Sequence, residues 1–167
     1  MSYYSKCNCG KNPCCCVKTK QCSQSPINPS NIEFQFDEIS ELTIIPLPQS
    51  PIPPVPLLTI SFSTVKAGDR VLLSGIISLI NTTPNFANIS LRIVRTAPLL
   101  SNPETIYTQA FVIDSEGDDN ATQIPFSHID VVTNQLFEVR YRVLVESFQP
   151  NVIATNPSTL SAIRFIQ

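Results

Sequence analysis

Hydrophobic and polar residues alternate with a period of two over most of the chain from Leu57 onward. Leu58, Ile60 and Phe62 alternate with Thr59, Ser61 and Ser63, the pattern of a strand with one face on a core and the other toward water. After a turn at Gly68-Asp69, Val71, Leu73, Ile77 and Leu79 share one face, while Leu72, Ile76 and Ile80 make the opposite face nearly as apolar. A strand apolar on both sides is buried on both, or faces a neighbouring subunit. Ile89, Leu91 and Ile93 alternate with Ser90 and Arg92, and residues 106–113 continue in the same style. A polar turn over 114–120 leads into a further strand at 122–132. Over 136–148 the spacing places Phe137, Val139, Tyr141, Val143 and Val145 on one face and Glu138, Arg140, Arg142 and Glu146 on the other. The last strand is predicted over 159–166. No stretch carries a convincing helical period. About seven or eight strands joined by polar turns predict an all-β fold, an antiparallel jelly-roll sandwich over 57–167.

Upstream of this domain the pattern changes twice. In residues 32–45, Ile32, Phe34 and Phe36 alternate with Glu33 and Gln35, and Leu42, Ile44 and Ile45 follow an acidic stretch, which suggests one or two short strands. Residues 46–56 hold six prolines in eleven positions. Missing backbone donors and fixed φ make this an extended, polyproline-like spacer, so 32–56 reads as short strands plus spacer. Residues 1–31, rich in Cys, Lys, Asn, Ser and Gln and broken by Gly10, Pro13, Pro26 and Pro29, read as an irregular, extended Cys-rich N-terminal connector.

All six cysteines, Cys7, Cys9, Cys14, Cys15, Cys16 and Cys22, fall in that connector. Disulfides usually staple domains too small to bury enough core. Here the predicted core region has no thiol to staple, so the thiols serve the tail. Charge narrows the partners. With a formal net charge of −2 and 14% charged residues, the chain lacks the basic footprint for nucleic acid or acidic lipid. No apolar run approaches the ~18–20 residues needed to span a bilayer, and the polar start has no apolar h-region, so neither a membrane span nor a signal peptide is expected.

The opening strand Gly68-Asp-Arg-Val-Leu-Leu-Ser-Gly75, the strand Leu136-Phe-Glu-Val-Arg-Tyr-Arg-Val-Leu-Val145 and the closing Leu160-Ser-Ala-Ile-Arg-Phe-Ile-Gln167 resemble the C1q/TNF-like jelly-roll domains of Bacillus spore-surface and exosporium proteins. Cys-x-Cys and Cys-Cys-Cys ahead of a spacer resemble the N-terminal connectors of endospore appendage (Ena-type) fibre subunits. A Gly-X-Y tract is absent, so the chain is not itself a collagen-like filament protein. The resemblance implies a spore-surface building block, made in the mother-cell cytoplasm and displayed on the exosporium or coat. It would partner copies of itself, an exosporium anchor and a collagen-like tip protein.

Several constellations carry competing readings. Cys7-x-Cys9 and Cys14-Cys15-Cys16 could supply thiolates to a metal, but a second paired knuckle is missing. Adjacent cysteines are poorly placed to bond one another, so as linkers they would pair with other segments or chains. Lys6, Lys11, Lys18 and Lys20 favour the reactive thiolate. A reduced tail without crosslinks is the bland alternative. Ile32, Phe34, Phe36, Leu42 and Ile44 either complete their own sandwich or add a strand to a neighbour's sheet, a head-to-tail contact that builds an open filament. His128, the single histidine, reads as structural, with no catalytic context around it. Asp114, Glu116, Asp118 and Asp119 read as a solvated turn rather than a Ca²⁺ loop. No metal, cofactor or catalytic residue is assigned. The leading expectation is therefore a non-enzymatic homopolymeric fibre subunit with disulfide-crosslinked tails. The alternatives are an anchor of fixed oligomeric state and a ligand-binding jelly roll.

Overall fold

A computed structural model describes residues 31–39, 44–49, 52–115 and 121–167. All six cysteines, Leu42 and the acidic residues 116–119 lie outside the described residues. Among the described residues nine strands follow in order: β1 Ile32–Ile39, β2 Ile45–Pro46, β3 Pro56–Val65, β4 Arg70–Asn81, β5 Ala87–Thr96, β6 Glu104–Ile113, β7 Thr122–Val131, β8 Leu136–Ser147 and β9 Val152–Phe165. One sheet runs β1-β9-β4-β7, with β2 also on β9; the other runs β3-β8-β5-β6. Every pairing between these strands is antiparallel. Early strands pair with late ones in a nested way, β1 with β9, β3 with β8 and β4 with β7, which makes the sandwich a jelly roll.

The two-residue period sets the core. Val71, Leu73, Ile77 and Leu79 of β4 point inward from one sheet, and Leu58, Ile60 and Phe62 of β3 and Val139, Tyr141, Val143 and Val145 of β8 point inward from the other. Phe62 and Tyr141 meet edge to face, with ring centroids 6.1 Å apart, the preferred arrangement for aromatic quadrupoles. Gly75 sits where β4, β9 and β7 crowd together. A Cβ there would collide with the Thr159 carbonyl oxygen and lie 2.7 Å from Phe126 Cζ, so only glycine allows the β9 backbone this close.

The structure departs from the sequence reading in three places. First, Phe137 is outward and Leu136 takes the inward place. Glu138 adopts φ 49°, the left-handed region, and this breaks the alternation so that Leu136 and Val139 both face the core. Second, β9 begins at Val152, well before the predicted 159. Its pairing with β4 shifts between Ile76 and Ser78. The polar groups at that irregularity are satisfied: Ser158 Oγ accepts from the Ser78 amide at 2.9 Å and donates to the Thr155 carbonyl at 2.6 Å. The strand therefore continues through a Ser/Asn/Pro stretch that reads as a turn.

Third, part of the proline-rich spacer is packed. Leu47 is buried and its amide donates to the Val152 carbonyl at 2.9 Å, while the Ser147 amide donates to the Pro48 carbonyl at 3.3 Å. Pro46 ends β2 and Pro56 begins β3, so this stretch carries the chain from one sheet of the sandwich to the other. Of the two arrangements open for 32–39, β1 pairs here with β9 of its own chain, Ile32 opposite Phe165 through to Ile39 opposite Ser158. Of its side chains only Ile39 is buried in the core.

Candidate assembly surface

Strand β1 is amphipathic in the reverse of the usual sense. Glu33, Gln35 and Asp37 turn inward, and Ile32, Phe34 and Phe36 turn out. Polar contacts hold it this way round. Glu33 Oε2 accepts from Arg164 Nη1 at 2.9 Å, and Asp37 Oδ2 accepts from the Thr59 amide of β3 at 2.6 Å. Behind Glu33, the buried Arg164 donates to Asp69 through Nε at 2.8 Å and Nη2 at 2.7 Å. Burial alone would raise the Asp69 carboxyl, but donation from the Lys66 amide, from Arg164 and from the Gln167 amide holds it below the usual carboxylate range. A ring of charge and backbone donors thus fixes the inner side of β1.

Register extends the outward side of β1 across the whole sheet. The rows read Ile32, Phe165, Arg70, Val131; then Phe34, Ile163, Leu72, Ile129; then Phe36, Ser161, Ser74, Ser127; then Glu38, Thr159, Ile76, Pro125. Phe34 is 60% exposed, Ile129 57%, Val131 53% and Phe36 51%. Four strands at about 4.8 Å and six residues at about 3.3 Å give a face on the order of 400 Å². The apolar part of that face is contiguous along the row Phe34, Ile163, Leu72, Ile129 and its neighbours Ile32, Phe165, Val131 and Phe36, and a contiguous patch, as opposed to scattered single residues, is a candidate interaction surface. At one end a groove of about 400 Å³ is lined by Arg70, Ile129, Phe165 and Gln167. In the middle, Ser74 and Ser161 hydrogen-bond to each other at 3.0 Å, and their small side chains leave a trough between the larger apolar rows.

The other sheet presents a different outer face. Thr59, Ser61, Ser90, Arg92, Arg140 and Arg142 alternate with the core residues of β3, β5 and β8, and Arg92 pairs with Glu146 at 3.4 Å. That face is polar and basic. Between the sheets, Asp130 of β7 accepts from Arg95 Nη1 at 2.7 Å and from the Tyr141 hydroxyl at 2.8 Å, and Arg95 Nη2 reaches Glu104 at 2.6 Å. Burial, then the Asp130 charge and hydrogen bond, push the Tyr141 hydroxyl upward. Burial opposes the Arg95 charge, but Glu104 and Asp130 more than offset it. These charges replace apolar packing at that end of the sandwich.

Of the residues singled out in the sequence, Ile32, Phe34 and Phe36 lie together on the apolar face, and Ile44 is exposed just ahead of β2. Leu42 and Cys7, Cys9, Cys14, Cys15, Cys16 and Cys22 fall outside the described residues. His128 is half-buried against Tyr107, with ring centroids 5.4 Å apart. Asp114 accepts from the Ser115 amide at 2.7 Å; Glu116, Asp118 and Asp119 are outside the described residues. Among the described residues no group of three His, Cys, Asp or Glu side chains is placed to hold a metal. Among them, too, no helix is long and apolar enough to cross a membrane. Leu72 and Ile76 belong to the second apolar face that the sequence shows on β4, whereas Ile129, Val131 and Ile163 are the surface residues that strand-by-strand reading misses, because only the sheet order brings them beside β1.

No protein-family model matches the chain, and no curated protein matches it. Solved structures do. The protein of infectious bursal virus derived T=1 particles superposes with a TM-score of 0.50 at 11% identity, over 80% of this chain and 32% of that one. The infectious bursal disease virus VP2 subviral particle gives 0.49 at 12% identity, over 82% of this chain and 33% of that one. The Eiger TNF of S. frugiperda gives 0.42 at 13% identity, over 80% and 93%. The chain spans about a third of the length of the viral proteins it matches. At this identity the likeness defines a class of fold, an all-β jelly roll.

Proposed function

We propose that this chain is a non-enzymatic structural subunit that self-assembles through the outer face of the β1-β9-β4-β7 sheet, with its cysteine tail crosslinking neighbouring copies. The observation that carries this reading is the continuous apolar face from Phe34 through Ile163 and Leu72 to Ile129. Covering such a face removes apolar surface from water at roughly 25 cal/mol per Å². The reverse patterning of β1 supports the same reading, since charged contacts are used inside in order to present phenylalanines outside. Because one fold serves many tasks, the argument rests on this surface. The infectious bursal virus derived T=1 particles, whose protein superposes on this chain, are the kind of assembly proposed here.

The finer setting follows from the resemblance of the sequence to spore-surface proteins. The assembly is a robust fibre on the endospore surface, made in the mother-cell cytoplasm and oxidised after release. In that setting the order of events is non-covalent assembly first and disulfides second, and the disulfides make dissociation slow.

Light scattering and electron microscopy of the full-length chain, with and without a thiol reductant, test the proposal. Defined assemblies should form in both conditions, and Ile129→Lys should reduce them at least tenfold in apparent affinity. A chain that stays monomeric in both conditions at tens of micromolar, or assembles unchanged with Ile129→Lys, overturns the reading.

A further inference from the structure

We infer that Arg70 and Glu38 pair between two copies of this chain across a two-fold, face-to-face contact. This rests on the proposed self-assembly through the outer sheet face and makes its unit a closed pair, which the cysteine tails then join into the fibre.

Both residues lie on that face, at opposite ends. Arg70 shares a row with Ile32, Phe165 and Val131, and Glu38 shares the row that ends the face, with Thr159 and Ile76. They are two strands apart and six residues apart along the strands, roughly 20 Å, so they cannot meet within one chain. Neither side chain has an ion-pair or hydrogen-bond partner among the described residues. A guanidinium and a carboxylate therefore stand at the two ends of an otherwise apolar and serine-lined surface.

The chemistry of the rest of the molecule selects the occupant. The opposite outer face carries Arg92, Arg140 and Arg142 among serines and threonines, with Glu146 already paired to Arg92, so it offers this face no continuous apolar row and an excess of positive charge. A second copy of the same face offers both. When one patch covers itself, the operator is a two-fold axis, and a feature at one end of the patch meets the feature at the other end twice. The axis that bisects the line between Arg70 and Glu38 sets each guanidinium of one copy against the carboxylate of the other. The groove beside Arg70, walled by Ile129 and Phe165, is the place for the incoming carboxylate arm. Its apolar walls lower the local dielectric, which strengthens the pair. The two pairs also reject a slipped or inverted packing, in which like charges would be opposed.

The test is a charge exchange in the full-length chain, in reductant, read by sedimentation. Arg70→Glu alone and Glu38→Arg alone each oppose two like-charged pairs and should weaken pairing at least tenfold. Mixed in equal amounts, the two variants should form a heterodimer in which both contacts are opposite in sign, and the double variant should pair with itself again. Wild-type pairing should weaken as NaCl rises from 0.05 to 0.5 M. Both side chains are on the surface, and unchanged circular dichroism and melting establish that the variants fold. The inference is overturned if the single variants pair like wild type, or if the mixture and the double variant regain nothing. If Ile129→Lys abolishes association while the charge exchange has no effect, the face is an interface and only this pairing is wrong. If Ile129→Lys also has no effect, the assembly reading itself has failed.

Discussion

Arg164 of β9 places Nε and Nη2 on the same oxygen of Asp69, ninety-five residues earlier in the chain, at 2.8 and 2.7 Å. The contact closes the end of the sandwich. Asp69 sits in the turn before β4, its second oxygen accepts from the Gln167 amide at 3.2 Å, and Arg164 passes the charge on to Glu33 of β1. Removing Asp69 leaves Arg164 with only the partly exposed Glu33, so the cost lies at the low end of the about 3–5 kcal/mol for breaking a buried pair. Asp69→Asn should therefore lower stability by about 3 kcal/mol in urea unfolding. A change under 1 kcal/mol would show that the pair contributes little.

The same carboxylate predicts an acid limit. Its folded-state pKa lies below the ordinary value of 3.8, so the unfolded chain binds the proton first. The stability it contributes is present above about pH 4 and falls as the pH drops through the folded-state value. Unfolding free energy measured from pH 7 to 2 should decline below pH 4 in the wild type and decline less in Asp69→Asn.

Tyr141 predicts the opposite limit. Burial and Asp130 raise its hydroxyl above the ordinary value of 10.0, so the unfolded chain loses the proton first. The contribution is full below about pH 10 and is lost as the pH rises beyond it. Tyr141→Phe should cost about 1–2 kcal/mol at neutral pH, because a buried hydrogen bond to a charged group goes with it, and should flatten the alkaline loss. Spectrophotometric titration of tyrosine absorbance alongside denaturation measures both.

Gly75 predicts a steric effect with no chemistry in it. Gly75→Ala forces the β9 backbone or Phe126 to move, and overpacking of this kind costs about 1–3 kcal/mol. Thermal melting should show the loss, whereas Ser63→Ala on the exposed outer face should melt as the wild type does.

The tail predicts a redox signature. Assemblies oxidised after they form should run as covalent ladders on non-reducing gels and collapse to monomer with reductant. Replacing Cys7, Cys9, Cys14, Cys15, Cys16 and Cys22 by serine should leave assembly in place and remove only the ladders.

How much of this was legible in the sequence follows from what one strand can know of its neighbours. Leu58, Ile60 and Phe62 share one face because simple alternation is local, whereas β4 is apolar on both sides, so alternation alone leaves open which of its faces meets the core. Phe137 was misplaced because a single left-handed residue, Glu138, shifts the phase, and a glutamate gives no sign of it. The first half of β9 was missed because its polar groups are satisfied by Ser78, eighty residues away. Nothing in the sequence marks Asp69, Asp130 and Arg95 as buried, because their burial depends on partners from distant strands. For Ile32, Phe34 and Phe36, alternation gave a strand but not the side on which it would lie.

The backbone of Asn31, the last residue before β1, accepts from the Ile166 amide at 2.8 Å, so the connector is moored at a fixed corner beside the Arg70 end of the apolar face. From that mooring, covalent length alone grades the cysteines by distance. At about 3.4 Å per residue, Cys22 can travel no more than roughly 30 Å, less than the length of the longer strands, whereas Cys7 can travel roughly 80 Å. Covalent length therefore sorts targets: under the proposed crosslinking, Cys22 has length only for its own copy or an abutting one, whereas Cys7 has length enough to pass a neighbour.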